Sequence, residues 1–306
     1  MLNIFQKTLC KKVEFKGIGL HSGKTVNLRI LPAMENSGIV FKRTDIKKNN
    51  IIKADFRNVA STKLCTTLEN SYGTQISTVE HLLAAIYISG IDNAIIEVNN
   101  FEIPIMDGSA KDFLEQIKKQ KLKTLNSKRK YLKILDEIDL FDGSKEIRIT
   151  PNNTLEVDFQ LNYENKIIGK QRNIVDLESD TINEIYSSRT FCLYKDLETI
   201  KNMGLAKGGS LDNAVVVDNE KVLNKEGLRN PKEFVNHKIL DLAGDFLLSG
   251  YRILGKVKCK EGGHELSNKF LKEIFKNPKS FSIVSQKENV ETFNKSEQNI
   301  ALVAVA

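Results

Sequence analysis

The chain holds four histidines, few enough to weigh singly. His237 and Asp241 stand in HKILD at i and i+4. On a helix that spacing puts both side chains on one face, one above the other, as two ligands of one metal ion would be. It equally suits a surface or capping polar pair. His81 follows Glu80 in TVEHLLAA, and an apolar run begins at once. The pair is therefore carried into the interior, either as a satisfied core pair or as a ligand beside a carboxylate base. His264, in EGGHEL, reads as lying on a glycine-flanked turn with its ring open to a cleft. His21, in GIGLHSGK, reads as structural, in a tight turn between strands. Gly17, Gly19 and Gly23 miss the dinucleotide spacing by one place, which rejects a Rossmann site. Two His and one Asp would leave one position open for water on a catalytic zinc. Glu80 could take a proton from that water, and His264 could protonate a leaving group or steady an oxyanion. The set fits metal-assisted hydrolysis of an amide or ester.

Elements must bring these residues together. Val79–Val98 carries a helical spacing at Leu82, Ala85, Ile86 and Ser89, a C-terminal glycine at Gly90, and then a strand over Ala94–Val98. Val235–Val257 repeats the scheme of His, helix, Ser-Gly and strand, four residues longer between His and Gly. Earlier in each half, Leu28–Arg43 and Ile147–Leu161 both read as strand, Pro-marked turn and strand. The echoes predict an α+β fold of two similar units, each a β-sheet layer packed with helices, with the site between them. Further helices are predicted over Ser109–Lys119, Glu178–Tyr186 and Asn268–Phe275. The polar stretch Gln120–Lys130 reads as a linker. The expected layout is a first unit over 1–124, a linker over 125–131, a second unit over 132–285 with an insertion at 191–214, and a loosely ordered tail over 286–306.

Composition sets the bounds. Hydrophobic residues make up 41% of 306, so the chain can bury a core, and disorder is excluded as the main state. The longest apolar runs, Leu82–Ile88 and Ile300–Ala306, are seven residues each, against about 20 for a membrane helix. The first residues lack a secretory pattern, and Cys10, Cys65, Cys192 and Cys259 form no CxxC pair. A reducing, cytoplasmic setting is expected. The net charge of +7 admits a polyanionic partner, but the lysines are scattered and their bland role is solubility.

Longer motifs then carry a resemblance. GIGLHSGK, STVEHLLAA, GIDNAIIEV, EIPIMDGSA, SRTF, GGSLDNAVV, FVNHKILDLAGD and GGHEL follow one another in a family-specific order. From about residue 5 to about residue 275 the chain closely resembles the UDP-3-O-acyl-N-acetylglucosamine deacetylases, zinc amidases of lipid A biosynthesis. The resemblance implies zinc on His81, His237 and Asp241, with iron as the cellular alternative. It implies Glu80 as general base, and His264 as second acid/base group with its ring held by Asp245. Thr190 would lie near the oxyanion, Phe191 against the sugar and Lys238 at the substrate's phosphates. An acyl passage is implied at the insertion, with Leu64, Leu197, Ala206, Ser210 and Val216 as lining candidates. Lys63 departs from the apolar neighbour expected there. The expected activity is acetamide hydrolysis of the UDP-linked substrate by a monomer without nucleic-acid partner or membrane span. The rivals are a zinc amidase for another acylated substrate, and a basic two-domain nucleic-acid binder with structural histidines.

Overall fold

The computed structural model describes residues 4–178 and 182–285. Its centre is a pair of sheets with one strand plan. The first holds β1 (Val13–Ile18), β2 (Thr25–Pro32), β3 (Ile39–Arg43), β4 (Ile51–Lys53) and β5 (Ala94–Val98), in the order β1-β2-β5-β3-β4. The second holds β6 (Ile138–Asp142), β7 (Lys145–Thr150), β8 (Leu155–Asn162), β9 (Lys170–Asp176) and β10 (Arg252–Lys260), in the order β6-β7-β10-β8-β9. Along either order the pairings run antiparallel, antiparallel, parallel, antiparallel. The fold is α+β, of two similar units. Tyr131–Ile134 and Phe281–Val284 extend the second sheet beside the start of β10.

The four longest helices of the described residues complete the scheme: α1 (Glu80–Ser89), α2 (Lys111–Lys118), α3 (Glu233–Leu247) and α4 (His264–Lys276). The outer two are amphipathic and bury one face, through Phe113, Leu114 and Ile117 in α2 and Leu266, Phe270, Leu271 and Ile274 in α4. Phe113 meets Phe15 of β1 edge-on at 5.1 Å, and Phe270 stacks near Phe246 of α3. The inner two are buried almost all round; in α3 only Lys238 among its residues is not buried. Such helices need apolar neighbours on both sides. Here α1 and α3 pack on each other at the heart of a core that spans both units.

Several sequence expectations hold. Helix α1 ends at Gly90, whose φ of 75° is the left-handed cap, and β5 covers the predicted residues. The helix predicted over Ser109–Lys119 forms as α2.

Others are corrected. The stretch read as a linker, 125–131, is largely strand: Leu122–Lys128 runs antiparallel to Phe5–Leu9. Arg129 beside it is buried, not solvated. Its guanidinium holds Asp92 and the Gly90 carbonyl at the end of α1, satisfying an orphan helix acceptor. Of the helix predicted over Glu178–Tyr186, only Asn183–Tyr186 forms among the described residues. His264 is the first residue of α4 and not part of a turn, because Gly263 is extended and caps the helix. The tail from 286 lies outside the described residues.

Candidate metal centre and active site

Gly244 fixes how closely the central helices approach. A Cβ on it would lie 2.0 Å from the Glu80 carbonyl oxygen and 3.1 Å from the Ala84 nitrogen. Backbone therefore meets backbone, which only glycine allows. Asp241 and Asp245 flank Gly244 on α3, so the contact sets them beside Glu80 and His81 in the first turn of α1.

Three ligand atoms converge there. Asp241 Oδ1 lies 3.5 Å from His81 Nε2 and 3.4 Å from His237 Nε2. Donors about 2.0–2.1 Å from a tetrahedral ion sit about 3.3–3.4 Å apart, so the spacing matches a single zinc-sized ion. His81, His237 and Asp241 are all buried, and Asp241 Oδ1 has no hydrogen-bond partner among the described residues. An unpartnered buried carboxylate oxygen facing two imidazoles calls for a cation. Burial pushes His237 down to about 3, which keeps it the neutral ligand a metal requires. Its Nδ1 lies 3.1 Å from the Ser188 carbonyl, which can accept the ring proton and leave Nε2 to the ion. The donor set fits a divalent metal.

The second group stands beside the first. His264 Nδ1 bonds Asp245 Oδ2 at 2.9 Å, and His264 Nε2 lies 3.8 Å from Glu80 Oε1. Burial works against a charged His264, but Asp245, Glu80 and Asp241 outweigh it and raise the imidazole to about 9. Burial raises Glu80 as well, against the pull of His264 and His81. Thr66 donates its main-chain N–H to Glu80 Oε2 at 3.0 Å and its hydroxyl to Asp245 Oδ1 at 2.7 Å.

A cavity of about 170 Å³ opens onto these groups, lined by Glu80, His81, His237, Lys238, Asp241 and His264 together with Leu20, Tyr163, Thr190 and Phe191. Lys238 is committed locally, its ammonium donating to Asp241 Oδ2 at 2.5 Å. A phosphate contact would need that bond to give way. Leu20, Leu64, Thr190 and Phe191 also line a second cavity of about 350 Å³. Leu197, Ala206, Ser210 and Val216 line it too, so every predicted passage residue faces one chamber. Lys63 is exposed, and its neighbour Leu64 takes the lining place. His21 does sit in a turn, held by the Glu102 carboxylate accepting the His21 and Ser22 N–H groups at 2.7 and 2.8 Å. Its ring also lines the chamber.

The chamber's far wall is the insertion. Phe191–Leu193 pairs in parallel with Val215–Val217, and the short helix Leu197–Asn202 lies between them in sequence. The insertion docks on the turn of His21, with Gly208 N–H donating to the Leu20 carbonyl at 3.0 Å. The SRTF segment is held by a buried ion pair, Arg189 Nε to Glu233 Oε1 at 2.8 Å.

Sequence reasoning missed Thr66, Tyr163, Leu20 and the partners of Arg189. Arg189 stood in a quoted motif, and its charge gave no sign of burial. Thr66 carried no spacing signal at all.

Comparison with known proteins agrees with this geometry. Residues 6–276 match the family model of UDP-3-O-acyl N-acetylglycosamine deacetylase. The chain is 42% identical over 285 residues to the UDP-3-O-acyl-N-acetylglucosamine deacetylase of Pasteurella multocida (strain Pm70), covering 92% of this chain and 93% of the relative. It is 40% identical over 298 residues to that of Haemophilus influenzae (strain 86-028NP), covering 96% and 95%. Against that of Geotalea uraniireducens (strain Rf4) it is 41% identical over 281 residues, covering 92% and 91%. A match of this length, with three candidate ligand residues converging as described, means that the chain belongs to the UDP-3-O-acyl N-acetylglycosamine deacetylase family.

Proposed function

We propose that this protein hydrolyses the acetamide of a UDP-linked, 3-O-acylated N-acetylglucosamine, releasing acetate as the committed step of lipid A biosynthesis. One observation carries the reading: a three-donor metal cluster with its own base and acid shares a wall with an apolar chamber. A substrate with an amide to cleave and an acyl chain to house needs both. His81, His237 and Asp241 would hold the ion, which we take to be zinc, with iron as the alternative. When bound, it supplies Lewis acidity and an acidified water.

The chain's own groups do the rest. Glu80, with Oε1 free of the Thr66 bond, accepts the proton of the attacking water. His264, held protonated by Asp245, gives a proton to the departing amine. Thr190 lines both cavities, where its hydroxyl can meet the developing oxyanion. Phe191 meets Tyr163 at 5.8 Å and His237 at 6.2 Å, forming the aromatic wall against which a sugar would rest. The acyl chain would enter the chamber past Leu64 and Ala206. We place the protein in the cytoplasm, working as a monomer. Four free thiols support that compartment, and among the described residues no helix is long and apolar enough to cross a membrane.

The test is acetate release from the UDP-3-O-acyl-N-acetylglucosamine substrate with and without a chelator. Chelation should abolish turnover and added zinc should restore it. His237→Ala should lose metal and activity together, because a three-donor site cannot spare one. Glu80→Gln should keep the metal and lose at least about 100-fold in kcat. Full turnover by metal-depleted protein would end this reading.

A further inference from the structure

Resting on the roles just given to Glu80 and His264, we infer that Thr66 is a positioning residue that ties the base to the acid across the two units. Three polar groups of this one residue, which is 1% exposed, are all engaged. Its N–H donates to Glu80 Oε2 at 3.0 Å. Its carbonyl accepts from the Val79 N–H, just before α1, at 3.4 Å. Its backbone therefore belongs to the frame of α1. Its hydroxyl reaches the other way, donating to Asp245 Oδ1 on α3 at 2.7 Å. The chain arrives there through Leu64, a non-glycine residue in the left-handed region at φ 62°. Backbone of that kind persists where its surroundings over-determine it.

The division of oxygens gives the tie its meaning. Each carboxylate has one oxygen held by Thr66 and the other turned to His264. Glu80 Oε1 lies 3.8 Å from His264 Nε2, and Asp245 Oδ2 lies 2.9 Å from His264 Nδ1. With Oδ1 fixed, Asp245 cannot swing its plane, and the imidazole it holds cannot turn away from the bond being cleaved. The same residue fixes the base, so the spacing between proton acceptor and proton donor is set by one threonine. Thr66 makes no hydrogen bond to His81, His237 or Asp241, so the metal should be indifferent to it.

The experiment is a mutant cycle on the full-length, zinc-loaded protein. Thr66→Val removes the hydroxyl at nearly constant shape and keeps the N–H to Glu80. It should lower kcat about 10- to 100-fold, as loss of an orienting partner does, with KM within about threefold and zinc content unchanged. Thr66→Ser should restore kcat to within about threefold of the wild type. The double variant Thr66→Val with Asp245→Ala should be no slower than Asp245→Ala alone, because Thr66 acts through Asp245. In metal-free protein, the downfield proton resonance of the His264 ring should shift or broaden in Thr66→Val and return in Thr66→Ser. If Thr66→Val does not fold, Thr66→Cys, of similar shape but a weak donor, takes its place with the same expectations. Additive losses in the double variant, wild-type kcat in Thr66→Val, or zinc lost in step with activity would each overturn the tie. A fast Asp245→Ala enzyme would instead defeat the acid/base assignment on which the tie rests.

Discussion

Replacing Gly244 by alanine tests whether the helix crossing builds the metal centre. The new Cβ would stand 2.0 Å from the Glu80 carbonyl oxygen and 2.8 Å from its carbonyl carbon. Reaching ordinary van der Waals contact takes a further separation of about 1.4 Å. The helix backbones on both sides are buried, so neither can give way by a side-chain rotation. An ion with ligands at about 2.05 Å cannot bridge two donors more than about 4.1 Å apart. The His81–Asp241 spacing starts at 3.5 Å. If half the required movement falls along that line, the spacing reaches that limit. Overpacking of this sort also costs about 1–3 kcal/mol. The expected result is a lowered melting temperature, a loss of at least about tenfold in zinc affinity, and a fall in kcat/KM of about 100-fold. Gly143→Ala is the control. Its φ is 63° and nothing lies within 4 Å, so it carries the backbone strain of a positive-φ alanine without any clash. It should lose some stability and keep all its zinc. The assays are metal analysis after dialysis against a weak chelator, thermal unfolding and acetate release. Full zinc and kcat/KM within threefold of wild type in Gly244→Ala would show that the close crossing does not set the site.

Three further outcomes are expected. Ala206→Phe should raise KM or lower kcat/KM for a long-chain acyl substrate while sparing zinc content, because the ring enters the chamber that Ala206 lines; unchanged kinetics would remove the insertion from the acyl site. Activity should fall as pH rises through about 9, where His264 loses its proton, and Asp245→Asn should move that basic limb to lower pH, since Asp245 is the leading influence that raises the imidazole; a limb that stays in place would assign it to another group. Arg189→Met should cost about 3–5 kcal/mol, because Glu233, fully buried, loses the partner of its charge; a melting temperature within about 2 °C of wild type would refute that.

What the sequence disclosed follows the range of the interactions involved. Helix α1, its glycine cap and β5 were legible because periodicity and capping act over a few residues. The two-unit plan was legible as an echo, since both units repeat the same local turns. The pairing of Phe5–Leu9 with Leu122–Lys128 was not, because it joins segments more than a hundred residues apart and its polar alternation looks like solvated chain. Arg129 was hidden for the same reason: only the fold brings it under the end of α1. The glycines before His264 read as a turn. In the structure, Gly262 is instead a packing contact, where a Cβ would lie 2.3 Å from Cys259 Sγ.

The candidate ligand residues were legible by type and partly by spacing. Their convergence rests on Gly244, an unremarked glycine inside a helix, where it is intrinsically unfavourable and is kept for close approach. Thr66 was the least legible of all. Its hydroxyl acts on a residue 179 positions away, and a threonine in a threonine-rich segment shows nothing of that.

The electrostatics of the assembled site suit it to both a metal and an anionic reaction. Glu80, Asp241 and Asp245 place three buried carboxylates around one imidazole, at 3.8, 4.0 and 2.9 Å from the His264 ring nitrogens, an arrangement that is unfavourable without cations. Lys238 and a protonated His264 answer two of them, while His237 is held neutral by burial. The three acids outnumber these two cations, and Asp241 Oδ1 has no hydrogen-bond partner among the described residues. A dication held there would offset the remaining carboxylate. Held by His81, His237 and Asp241, it would supply positive charge to the carbonyl oxygen on which negative charge must develop. In the roles proposed for Glu80, Asp241 and Asp245, metal binding and proton transfer would be two uses of one charge distribution.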